Sequence, residues 1–73
     1  MQRQLTAIIE REGTGYVSYC PELDVASQGD SINAARENLI EALQLFFETA
    51  SESEIRERLR EEVYVTQVNI AIG

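Results

Sequence analysis

Residues 4–20 read QLTAIIEREGTGYVSYC, two runs of strand-forming residues separated by a glycine-rich turn. Apolar and polar residues largely alternate over residues 4–11, which is the period of a strand with one buried face. The glycines at positions 13 and 15 supply the positive-φ positions that a tight hairpin turn needs. Residues 16–20 are rich in β formers, so the stretch predicts an antiparallel hairpin of strands 1 and 2.

Turn and cap signals after the hairpin predict a third strand and a long helix. Pro21 has no backbone N–H and therefore ends strand 2. A short strand over residues 25–28 follows, and Gly29 closes it. Asp30 or Ser31 is a good N-cap because its side-chain oxygen can accept from the first free helical amides. The helix is expected to run to about Ala50.

The long helix is amphipathic. Its apolar stripe, about 100° wide, fits a helix lying on a sheet, and consists of Ile32, Ala35, Leu39, Ala42, Leu43, Phe46 and Ala50. Ile40 and Phe47 widen this stripe at one flank. The opposite side is polar and carries Asn33, Glu37, Glu41, Gln44 and Glu48. Leu45 points into that polar side, so it is either an isolated exposed residue or a contact with another element or partner.

The last part of the chain predicts a short helix and a fourth strand. Residues 51–54 match a capping box, which favours a solvated helix over residues 52–61. Residues 63–72 alternate again, as expected of a long final strand. The fold class is therefore α+β, a single two-layer domain over residues 1–73 with element order β-β-β-α-(short α)-β. One long helix covers one face of a mostly antiparallel four-stranded sheet.

Charge and composition limit the kinds of partner. The 73 residues contain 6 Lys+Arg and 13 Asp+Glu, for a formal net charge of −7. This field repels phosphate and favours basic partners, so we expect no direct nucleic acid binding. No apolar run is long enough to span a membrane, and the single Cys20 forms no internal disulfide, which together predict a cytoplasmic protein.

Catalytic groups are scarce. The sequence has no His, and its six positive side chains are all arginines. Glu22, Asp24 and Asp30 cluster near the turn between strands 2 and 3, and a metal-dependent nuclease could use such carboxylates. Turn, cap and surface roles are the simpler interpretation. Cys20 has no base beside it and is expected to be a half-buried strand residue. We therefore expect no enzyme activity, no metal and no cofactor.

Two tyrosines on strand 2 are candidates for partner contact. Tyr16 and Tyr19 lie three positions apart and so face opposite sides of the sheet. One is expected in the core. The other is expected on the outer face, where it either packs across strands or anchors a protein partner.

The chain resembles the HicB-like antitoxin family in a succession of short motifs. These are the aromatic strand and Pro-acid-Leu of residues 16–23, the Ser-Gln-Gly-Asp-Ser of residues 27–31, and the Glu-Asn-Leu-Ile-Glu-Ala-Leu of residues 37–43. The resemblance covers about residues 5–48. It implies a partly ribonuclease-H-like fold without nuclease activity, whose members bind and block a small basic HicA-type ribonuclease. Because the chain stops at Gly73, we expect a stand-alone domain without the added DNA-binding domain.

The resemblance and the charge together predict a protein-binding module. The expected partner-binding residues are Tyr16, Tyr19, Glu22, Asp24, Glu37, Glu41, Leu45 and Glu48. Two alternatives are a carboxylate-based metal-dependent nuclease and a structural homo-oligomer without a toxin partner. The apolar final strand also predicts self-association into a dimer or higher oligomer.

Overall fold

The chain forms a three-stranded antiparallel sheet with helices that follow it in sequence, in a computed structural model that describes residues 3–73. The strands lie in the order β1-β2-β3. Their bounds, with those of the helices, are β1 (Ile8–Glu12), β2 (Gly15–Cys20), β3 (Val25–Gly29), α1 (Ile32–Thr49) and α2 (Glu52–Arg58). The predicted α+β class, the hairpin and the long helix are confirmed.

The β1–β2 hairpin turns where the glycines predict. Glu12 pairs with Gly15, which leaves Gly13 and Thr14 as the loop. Gly13 has φ 60°, and glycine with positive φ at the first loop position fits a type II′ turn.

Strand β1 begins at Ile8, so the prediction that strand 1 starts at Gln4 is wrong. Ile8 pairs with Tyr19, and the partner strand β2 ends at Cys20, immediately before Pro21. The ladder therefore has nothing to pair with before Ile8 on this side. The backbone N–H of Thr6 instead donates to the Glu22 carboxylate at 3.0 Å.

The end of β3 passes very close to α1. A Cβ on Gly29 would lie 2.7 Å from the carbonyl carbon of Ala34, and it would also meet the Ala35 nitrogen. Only glycine fits there without a shift of the backbone. The helix then begins after Ser31, whose hydroxyl accepts from the Ala34 N–H at 3.0 Å, as the cap signal predicted.

The core lies between α1 and the sheet. Leu23, Leu39, Ala35 and Cys20 are fully buried, so Cys20 is more deeply buried than the half-buried position expected. The side chains packed around this core are Leu5, Val25, Leu43, Phe46, Phe47 and Leu59. Ile32 was placed in the apolar stripe, but it is 56% exposed because it lies in the first turn, at the end of the sheet.

Helix α2 is shorter than predicted, and the residues after it dock on the β2–β3 turn. It is capped by Ser51, whose hydroxyl accepts from the Glu54 N–H at 3.2 Å, and it ends at Arg58 rather than Glu61. The Arg60 N–H then donates to the Glu22 carbonyl at 2.8 Å, which a continuing helix would not allow.

Residues 63–72 form neither a helix nor a strand. Within the described residues the sheet has three strands, and the predicted fourth strand is not shown. Nothing in the described part of the chain lies beside residues 63–72 as a strand partner, so their alternating pattern produces no ladder here. Among the described residues, no helix is long and apolar enough to cross a bilayer.

Candidate protein-binding surface

The two tyrosines of β2 face opposite sides of the sheet. Ser18 is buried and its hydroxyl donates to the Ala35 carbonyl of α1 at 2.8 Å, so even-numbered residues of β2 face the helix. Tyr16 therefore lies on the helix side, where the Arg11 guanidinium sits 5.3 Å from its ring centroid. Tyr19 is the tyrosine on the outer face.

Tyr19 is joined to the β2–β3 turn. Its hydroxyl donates to Asp24 Oδ1 at 2.9 Å. This hydrogen bond, helped by desolvation and by the Asp24 charge, raises the pKa of Tyr19 above its ordinary value. Asp24 has φ 56°, a left-handed conformation that Asp tolerates better than most residues. The pair makes a small polar feature on the outer face.

The Glu22 carboxylate is hydrogen-bonded within the domain. Its carboxylate accepts from the Thr6 hydroxyl at 2.6 Å and from the Thr6 N–H at 3.0 Å. Partial burial would raise the pKa of Glu22, but these hydrogen bonds outweigh it and lower the pKa below the ordinary value. Cys20 Sγ also lies 3.3 Å from Glu22 Oε1, and burial followed by this contact raises the pKa of the thiol. Glu22 therefore ties the N-terminal residues to the sheet.

The remaining predicted residues lie together on the solvent side of α1. Leu45 is 59% exposed, and it lines a shallow depression of about 460 Å³ together with Glu41 and Glu48. Glu37 is one turn before Glu41 on the same side, and its carboxylate is 2.8 Å from Arg36 Nη1. We call Glu37, Glu41, Leu45 and Glu48 the α1 ridge. It places an apolar side chain among carboxylates.

The structure divides the predicted site residues between the two sides of the sheet. The α1 ridge lies on the helix side and the Tyr19–Asp24 pair on the outer side. A single flat partner would contact one group or the other. The α1 ridge is the larger of the two and the only one that presents an exposed large apolar side chain among exposed carboxylates in the described residues.

The carboxylates near the β2–β3 turn do not converge. Glu22 is bonded to Thr6 and Asp24 to Tyr19, so their oxygens point in different directions. In the described part of the chain, no group of three or more His, Cys, Asp or Glu side chains is arranged to hold a metal ion.

Two arginines after α1 have structural contacts that the sequence did not reveal. Arg58 donates to the Leu23 carbonyl at 2.7 Å, and its guanidinium lies 4.9 Å from the Phe46 ring centroid. Arg60 donates to the Pro21 carbonyl at 3.2 Å. The sequence predicted a solvated helix over residues 52–61, which leaves both arginines facing solvent. These contacts join positions 35 and 39 residues apart, and no local pattern marks them.

Comparison with known proteins adds no relative. No family model matches the chain, and no curated protein or solved structure matches it.

Proposed function

We propose that the chain is a non-catalytic, HicB-like protein-binding module that binds and neutralises a small basic HicA-type ribonuclease. The observation that carries the proposal is the α1 ridge, an exposed leucine flanked by glutamates on a protein of net charge −7. The HicB-like family and its partly ribonuclease-H-like fold are part of this proposal, because the motifs of residues 16–43 resemble those of the family.

Charge supplies the first half of the recognition. A surface that cleaves RNA must attract phosphate and is therefore basic, and an acidic inhibitor gains association rate and orientation from the same field. Glu41 and Glu48 are exposed, so each contributes little on its own, on the order of 0–1 kcal/mol. Reversing one charge should therefore slow association without abolishing the complex.

Leu45 supplies the second half. An apolar side chain that becomes fully buried at the centre of an interface controls the dissociation rate more than the association rate. At 59% exposure, Leu45 has most of its surface available for such burial. Tyr19 on the outer face is the other candidate anchor, but its hydroxyl is already bonded to Asp24.

The experiment measures association and dissociation rates with a HicA-type ribonuclease at two salt concentrations. Leu45→Ala is expected to raise the dissociation rate at least tenfold, whereas Glu41→Lys is expected to slow association, most strongly at low salt. Glu57→Lys is the matched control, because it makes the same charge change at an exposed position on α2. Equal effects of Glu41→Lys and Glu57→Lys would refute the α1 ridge as the site.

Two simple measurements distinguish the proposed function from its two alternatives. A carboxylate-based nuclease requires a saturable Mg²⁺ or Mn²⁺ site, so calorimetric titration with either ion distinguishes it. A purely structural homo-oligomer would bind no basic ribonuclease at any salt concentration. Binding without a saturable cation site supports the module.

A further inference from the structure

Residues 63–72 carry an apolar face that no part of the described chain covers. In an extended backbone their side chains would point alternately to two sides, and the even-numbered side is the more apolar. On that side Tyr64, Val68, Ile70 and Ile72 are 82%, 74%, 72% and 93% exposed. On the other side Gln67 and Asn69 are polar. One apolar and one partly polar face is the pattern of a strand whose first face lies against a core.

An open groove lies on the flank of α1 that is next to β1. It has a volume of about 820 Å³. Its apolar lining comes from Leu5 and Ala7 before β1 and from Ile40, Leu43 and Phe47 on α1. β1 is an edge strand whose second side carries no neighbour in the described residues. A strand laid there would extend the sheet and place one face on α1.

The groove and the segment are complementary. The groove offers an apolar wall beside the residues that lead into the edge strand β1, and residues 63–72 offer an apolar face and an unpaired backbone. The segment starts beside the groove of its own chain, because Glu61 lies 3.6 Å from Arg3 and Arg3 lines that groove, so closure on the same chain is the competing arrangement.

We infer that residues 63–72 add as a fourth strand beside β1 of a second copy of this chain, each copy giving its segment to the groove of the other. The structure favours a second copy over closure on the same chain because the segment stays exposed and extends the molecule. The Cα radius of gyration is 14.3 Å and the longest dimension 48 Å, whereas a compact domain of this size has a radius of about 11 Å. In a reciprocal exchange about one two-fold axis, both segments are paired and both grooves are filled. This inference does not depend on the antitoxin proposal.

The first test is the solution mass of the full chain, measured by light scattering at micromolar concentration. The expected mass is twice the 8.2 kDa of one chain. Ile70→Asp should weaken the dimer about a hundredfold or more, because the loss is repeated twice in each dimer. Ile32→Asp is the matched control: the same substitution at an exposed position, 56% against 72%, on the first turn of α1. It should leave the mass unchanged.

The second test separates exchange from closure on the same chain. A mixture of ¹³C-labelled and unlabelled full chains is refolded together, and isotope-filtered NOEs are recorded. Exchange predicts intermolecular NOEs between the Ile70 and Ile72 methyls and the Phe47 ring. Far-UV circular dichroism of Ile70→Asp checks that residues outside the segment keep their structure.

Several results would overturn the inference. A mass of one chain, NOEs from the segment to Phe47 of the same chain only, or a dimer that Ile70→Asp leaves intact would each do so. A mass that rises without limit with concentration would also contradict a closed two-fold exchange. If Ile70→Asp unfolds, its mass does not test the inference, and the intermolecular NOEs of the wild-type protein decide it.

Discussion

Replacing Arg58 by Ala tests whether the end of α2 holds the β2–β3 turn in place. Arg58 is the last residue of α2 and reaches back across the chain to the Leu23 carbonyl at 2.7 Å. Leu23 itself is fully buried. Removal of the guanidinium therefore frees one carbonyl at the edge of the core and uncovers the ring of Phe46.

The expected cost follows from these two contacts. A hydrogen bond from a charged donor is worth about 1.5–3 kcal/mol, and the exposure of Arg58 argues for the lower end of that range. The cation–π contact adds about 0.5 kcal/mol at an exposed site. Arg and Ala have similar helix propensities, so no backbone term is added. We expect a loss of about 1.5–2 kcal/mol, or roughly 6–16 °C in Tm for a domain of this size.

Arg56→Ala is the matched control. Arg56 is exposed in the same helix, and either substitution changes the net charge from −7 to −8 by removing one positive charge. Urea unfolding followed by circular dichroism, at one protein concentration for all variants, should give a lower midpoint for Arg58→Ala with little change for Arg56→Ala. If both variants unfold at the same midpoint, the Arg58 contacts do not stabilise the fold.

The remaining predictions concern the turn, the close approach of β3 to α1, and acid stability. Gly29→Ala should cost about 1–3 kcal/mol in urea unfolding because its Cβ would meet the backbone of Ala34; an unchanged midpoint would contradict that close approach. Asp24→Asn should be nearly neutral, whereas Asp24→Val should cost about 1–3 kcal/mol because a β-branched residue resists φ 56°; equal midpoints would count against backbone strain. Since Thr6 lowers the pKa of Glu22 below 4.5, the stability this carboxylate contributes is present above pH 4.5 and is lost as the pH falls through the lowered pKa. Unfolding midpoints between pH 3 and 7 should therefore converge for wild type and Glu22→Gln at low pH, and a constant difference would refute the linkage.

Features set by neighbouring residues could be predicted from the sequence. The turn at Gly13, the end of β2 at Pro21 and the Ser31 cap each depend on the backbone chemistry of a few adjacent residues. The exposure of Leu45 also followed from helical periodicity alone, because a wheel assigns every position of a regular helix to a side.

Features set by distant contacts could not be predicted. The start of β1 depends on where its partner strand ends, and the orientation of Glu22 depends on Thr6, 16 residues away. The faces of Tyr16 and Tyr19 were known to be opposite, but only the position of α1 decides which one faces outward. Residues 63–72 have the alternation of a strand, yet alternation specifies no partner for the backbone.

The two surfaces of α1 are adjacent, which constrains how they work together. Gln44 and Glu48 line both the depression beside Leu45 and the groove next to β1. A strand placed in the groove would therefore lie against one side of Glu48, whereas the other α1 ridge residues, Glu37, Glu41 and Leu45, stay open. Exchange would also bring a second acidic chain nearby, which strengthens the field that attracts a basic partner. Leu45→Ala should consequently change partner dissociation without changing the mass of the free protein, whereas Ile70→Asp should change the mass and slow partner association. A Leu45→Ala variant that also became monomeric would show that the two surfaces are one.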